Sequence, residues 1–217
     1  MKIMKIMKKL LNLFIAVTLA TAVTSCGKTT KGKMDGEWKI STVEETNSNL
    51  TTNNTTTTKV NDAVITRTST SGSTSNTSTG VVNEANWTIK KDGTWTRTIS
   101  TTFSQGTAYS QKSTQTTSGS WDFLKSVSKD YKNNERVVFN ILSDNNTTVT
   151  TTGNSSSTST SSNTYLDGEN SFIYIVTESK KDALTLNMDG ANTATSTNPG
   201  GSSTTKTTTK SAYSLTK

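Results

Sequence analysis

Asn86-Trp87-Thr88-Ile89-Lys90-Lys91-Asp92-Gly93-Thr94-Trp95-Thr96-Arg97-Thr98-Ile99 alternates bulky apolar and polar residues on both sides of an Asp-Gly pair. That pattern predicts a β-hairpin. A three-residue loop, Lys91-Asp92-Gly93, puts Gly93 in the left-handed conformation that such a loop requires. Ile89 then opposes Trp95, and Trp87, Ile89, Trp95, Ile99 and Phe103 share one face. Lys90, Thr94 and Thr96 fall on the other. The alternative is a two-residue Asp92-Gly93 turn, which moves Trp95 to the face opposite Ile89.

The same period of two extends outward from this hairpin. Upstream, Gly36 to Val43 has Trp38 and Ile40 facing one way and Glu37 and Lys39 the other. A second strand is expected over Val60 to Thr70. Downstream, strands are expected at 107–117, at 119–125 (Trp121 and Phe123 on one face), at 135–143 (Val137, Phe139, Ile141) and at 146–153. Phe172–Glu178, Leu184–Met188 and Thr205–Leu215 follow. Between these runs, 69–79, 154–163 and 190–203 are nearly all Ser, Thr, Asn and Gly and read as loops. The similar stretch 46–58 reads as a loop or as an edge strand prolonged outside the core. Beyond the N-terminal segment, no stretch keeps a helical apolar period. The fold class is all-β, with about 8–10 antiparallel strands joined by local turns. A closed up-and-down barrel and a sandwich both fit, and closure favours the barrel because it removes exposed edges.

The N-terminus has a different character. Lys2, Lys5, Lys8 and Lys9 precede an apolar run from Leu10 to Val23, and no acidic residue occurs through Ser25. These are the n-region and h-region of a secretory signal helix, with a run shorter than the ~20 residues of a membrane span. Val23-Thr24-Ser25-Cys26-Gly27 follows, with the chain's only cysteine. The expected organisation is a signal peptide at 1–25, a tether at 26–34 and a barrel domain with Ser/Thr-rich loops at 35–217. Removing 1–25 leaves 19 basic and 16 acidic residues, so the net charge falls from +7 to +3. The basic pI of the whole chain is therefore no sign of nucleic-acid binding. Residues 26–217 hold only 28 Leu, Ile, Val and Phe, below the ~20% that marks a disordered composition. The high net charge that accompanies disorder is missing. Four Trp, five Tyr and many β-branched Thr supply the missing core and strand material.

Taken together, the cysteine motif, Gly36-Glu37-Trp38, Lys91-Asp92-Gly93-Thr94-Trp95, Gly119-Ser120-Trp121 and the late pair Phe172–Val176 and Leu184–Met188 resemble the lipocalin-like lipoproteins of Gram-negative bacteria. The resemblance implies a lipobox, with lipid on Cys26 anchoring the protein to a membrane. It also implies that Trp38 closes one end of the barrel, commonly under an arginine of the last strand; here Lys206 and Lys210 are the basic residues of that strand. Some members hold a small apolar ligand. Gly27 after the cysteine, in place of aspartate, points by analogy to the outer membrane, facing the periplasm.

The residue inventory narrows the chemistry. With no histidine in the chain, Ser-His-Asp and Cys-His nucleophile systems and imidazole metal sites are absent. No cofactor, metal or enzymatic activity is expected. Glu44 and Glu45 would point to opposite faces of a strand and read as solvated charges. Asp144-Asn145-Asn146 and Asp167-Gly168-Glu169 read as turn chemistry. Trp87, Trp95 and Trp121 either line an apolar pocket or fill the core. The functional expectation is a lipid-anchored envelope barrel that binds a small apolar or amphipathic molecule. The alternative is an adhesion or interaction module working through its Ser/Thr-rich segments.

Overall fold

The structure, a computed structural model, describes residues 30–124, 135–198 and 201–217. Residues 1–25, read as a signal peptide, and Cys26 and Pro199 lie outside the described residues. A five-residue helix, α1 (Thr30–Met34), precedes eleven strands. They are β1 (Gly36–Asn49), β2 (Asn54–Asn61), β3 (Val64–Ser71), β4 (Thr74–Ile89), β5 (Thr94–Gln105), β6 (Tyr109–Leu124), β7 (Glu135–Thr152), β8 (Ser155–Thr164), β9 (Ser171–Ser179), β10 (Ala183–Asn198) and β11 (Gly201–Thr216). Every pairing is antiparallel, and β11 closes back on β1 to make an up-and-down barrel. The sequence reading of an all-β barrel holds.

The barrel has two storeys. At the lower end, where the β4–β5 hairpin turns, β1 pairs directly with β4 through Gly36–Ile89, Trp38–Trp87 and their neighbours. Eight strands close the ring at that level. Higher up, the β2–β3 hairpin enters between β1 and β4 and widens the closed sheet to ten strands. β8 lies along the upper half of β7, while β9 takes the lower half of the same edge.

The decisive hairpin forms as read. Lys91-Asp92-Gly93 is the loop, Gly93 has φ +87°, and Ile89 pairs with Trp95. Asp92 fixes the turn by accepting hydrogen bonds from the Thr94 backbone N–H (2.9 Å) and hydroxyl (2.6 Å). These bonds hold the Asp92 carboxyl below its ordinary pKa. Of the segments read as loops, 69–79 and 154–163, and the described residues 190–198 and 201–203 of the third, are instead hairpin arms or strands. Their cause is partnership rather than composition: each Ser/Thr run pairs with another along most of its length. The stretch 46–58 is likewise a hairpin, turning between Asn49 and Asn54. Residues 60–70, read as one strand, are broken at Asp62, which has φ +50°. Conversely, the two strands expected within 107–125 are the single β6, and those within 135–153 are the single β7. The β6–β7 ladder continues across a single irregularity, where Ser118 pairs with Ser143 and Gly119 with Ile141, leaving Leu142 as the extra residue of β7.

The lower storey holds the core. Phe139 is its hub, with ring centroids 4.9 Å from Trp87, 5.4 Å from Trp95, 6.4 Å from Trp121 and 5.9 Å from Tyr174. Gly119 permits this packing. A Cβ there would lie 1.8 Å from the Asn140 carbonyl oxygen, so only glycine lets β6 and β7 approach beside Trp95. Met34 of α1 is fully buried at the lower end, and its carbonyl accepts the Trp38 indole N–H at 2.7 Å.

Candidate functional site

The three tryptophans read as ligand contacts come together, but within the packed core. Trp87, Trp95 and Trp121 are each at most 3% exposed. The Trp95 indole donates to the Ser120 (2.9 Å) and Asn140 (3.1 Å) carbonyls, and that of Trp121 to the Lys90 carbonyl (2.8 Å). The Trp87 N–H has no acceptor among the described residues. Trp38 sits at the lower closure as read, but the cation over it was missed. It is Lys217, whose Nζ lies 4.4 Å from the ring centroid, where a cation–π contact is favourable. Gly36 leaves room for this lysine, since a Cβ there would meet Nζ at 2.6 Å. The same ammonium donates to the Asp35 carbonyl at 2.9 Å.

Open space lies above the core, in the upper storey, as a cup of about 410 Å³. The β-strand period builds it with two unlike walls. One wall is apolar: Val43, Val60 and Ile65 are register neighbours across β1, β2 and β3, and Ile99 and Phe103 of β5 complete it. The adjoining wall, beginning at the register partners of Ile99 and Phe103, is amide and hydroxyl: Gln111, Ser113 and Gln115 of β6, with Asn146 and Thr148 paired to that strand on β7. A hollow of about 390 Å³ at the rim shares Arg67, Phe103 and Gln111 with the cup. A groove of about 440 Å³ on the outer wall runs between charges such as Glu37, Lys39 and Glu84.

A half-buried relay runs from Arg97 to Tyr213 and Glu45, the last two of which line the cup. Arg97 donates from Nη1 to the Tyr213 hydroxyl at 3.2 Å, and that hydroxyl faces a Glu45 carboxylate oxygen at 3.4 Å. The guanidinium also lies 5.5 Å from the Trp87 ring centroid, so it caps the aromatic core. Burial opposes charge on Arg97. Tyr213, Tyr174, Glu45 and Asp144 more than offset this and hold its pKa above the ordinary value. Burial pushes the Tyr213 hydroxyl well above the usual phenol range and raises that of Tyr174, with Arg97 pulling the other way in both. Tyrosinate is thus not a species that this relay supplies at neutral pH.

The carboxylates singled out in the sequence have partners. Glu44 points outward to Lys59 at 3.0 Å, as strand alternation requires. Glu45, read as a solvated charge, instead faces inward and also accepts from Asn47 at 2.7 Å. Asp144 accepts from Gln115 (3.0 Å) and Thr117 (2.9 Å), and Asp167 from Ser120 (2.7 Å). Among the described residues, no group of three or more acidic, Cys or His side chains is placed to hold a metal.

Sequence reasoning passed over Arg97, although its signal was present. It stands between Trp95 and Ile99 at an inward position of the alternation, but its polarity hid it. Arg67 was missed because the strand containing it was drawn through the turn at Asp62. Comparison of the chain with protein-family models, with curated proteins and with solved structures finds no match.

Proposed function

We propose that this protein is a non-enzymatic, lipid-anchored barrel of the bacterial cell envelope whose upper cup holds a small amphipathic molecule. The observation that carries the binding reading is the two-faced wall. Val43, Val60, Ile65, Ile99 and Phe103 offer apolar area, and Gln111, Gln115 and Asn146 on the adjoining strands offer donors and acceptors that fix an orientation. The packed tryptophans act as a structural plug beneath it. The Val23-Thr24-Ser25-Cys26-Gly27 pattern supports the anchor, and the likeness to lipocalin-like lipoproteins supports an outer-membrane, periplasm-facing location. With two or three acyl chains the attachment is effectively permanent.

Labelling cells with an alkyne fatty acid tests the anchor. The expected result is label on the wild-type chain in the membrane fraction and none on Cys26→Ser; label that persists on the variant contradicts it. Native mass spectrometry of the full chain released from detergent tests the cup, with a co-purified small molecule as the expected result.

A second reading, an interaction module without a small ligand, has one observation in its favour. All ten residues of β8 are exposed, and among the described residues β8 pairs with β7 alone. Such an edge is a template for strand addition.

A further inference from the structure

We propose that the cup selects an amphipathic carboxylate, with the acid group held by Arg67 and the apolar body against Val60, Ile65 and Ile99. The inference rests on the reading of the cup as a small-molecule site and names the ligand class.

Arg67 is the next inward residue above Ile65 on β3, at the level where the apolar wall meets the rim. Its register partners are Thr58 on β2 and Ser78 on β4, neither of them charged. Glu45, the carboxylate of the same inward row, stands two strands away, roughly 10 Å at the usual strand spacing. Glu45 is already bonded to Tyr213 and Asn47. Among the described residues, Arg67 therefore has no ion-pair partner. Its guanidinium lies 5.3 Å from the Phe103 ring centroid, a contact that orients the fork without neutralising it.

The two arginines of the inward rows thus differ in kind: Arg97 is half-buried, and Arg67 stands exposed at the rim. Arg97 is committed to Tyr213 and Trp87, with Glu45 and Asp144 around it. Arg67 brings the cup one uncompensated positive charge and two parallel donors, the geometry that pairs with a carboxylate. A phosphate monoester would bring about 1.5 to 2 negative charges into a cup that also contains Glu45. The charge balance therefore favours a monoanion.

The test uses the full chain in nanodiscs, with calorimetric titration of 4-phenylbutyrate and of 4-phenylbutan-1-ol and empty nanodiscs as the blank. The acid is expected to bind about ten-fold more tightly than the alcohol, as one charge-assisted contact allows. Arg67→Gln should lower the acid to the alcohol's level and leave the alcohol unchanged. Equal binding of acid and alcohol by the wild type, or equal loss of both in Arg67→Gln, overturns the carboxylate assignment alone. If neither probe binds, or if cup-filling Ile65→Trp leaves both affinities intact, the cup reading itself fails and this inference goes with it.

Discussion

The lower and upper storeys share the same strands but are held together differently. Among the described residues, twenty apolar side chains form one buried cluster centred on Phe139 and its aromatic neighbours, and of these Val43, Val60 and Ile65 extend upward as the wall of the cup. Above, the outer face carries cross-strand hydroxyl pairs: Thr46–Thr57 at 3.2 Å, Ser48–Thr55 at 3.1 Å, Thr68–Thr77 at 3.1 Å and Thr70–Ser75 at 3.3 Å. Each such pair contributes only ~0.2–1 kcal/mol. The upper storey therefore depends on ladder hydrogen bonds and on being continuous with strands anchored below. This contrast explains how a chain poor in aliphatic residues closes a barrel: its core material is concentrated at one end, and the other end is left open enough to hold a cup.

Substitutions that break the comparison should be costly below and nearly silent above. Phe139→Ala removes the ring around which three tryptophans pack, and should cost about 3–5 kcal/mol in urea unfolding. Gly119→Ala forces β6 from β7 at Asn140 and should cost about 3 kcal/mol in the same measurement. A finer contrast lies within the core. Trp95→Phe deletes a buried donor and its bonds to two carbonyls, whereas Trp87→Phe deletes an N–H with no acceptor. Trp95→Phe should therefore be the more destabilising of the two, by about 1 kcal/mol. Thr57→Val, in the middle of the hydroxyl ladder, should change stability by less than about 0.5 kcal/mol. A large loss there would mean that the upper storey is held by its side chains after all.

The lower storey was legible in the sequence because alternation and turn chemistry agree there. Trp87, Ile89 and Trp95 alternate with polar residues around an Asp-Gly turn, and each of the three is buried. The upper storey was not legible. Ser, Thr and Asn carry no inward–outward contrast, so β8, with the sequence Ser-Ser-Ser-Thr-Ser-Thr-Ser-Ser-Asn-Thr, has the composition of a loop and becomes a strand through its pairing with β7. The site suffered for the same reason. Tryptophans draw attention as ligand contacts, yet large rings are what a small core buries first. The walls of the cup are ordinary Val, Ile and Gln residues whose convergence depends on the β2–β3 hairpin, and Asp62 signals that turn only weakly.

The central claim is that the aromatic end is sealed and that binding takes place in the storey above it. Nuclear magnetic resonance of the full chain in nanodiscs, titrated with 4-phenylbutyrate, tests this directly. Shifts concentrated at Val60, Ile65, Ile99 and Gln111, with the indole signals of Trp95 and Trp121 unmoved, are the expected result. Indole signals that move while the cup residues stay still would contradict it.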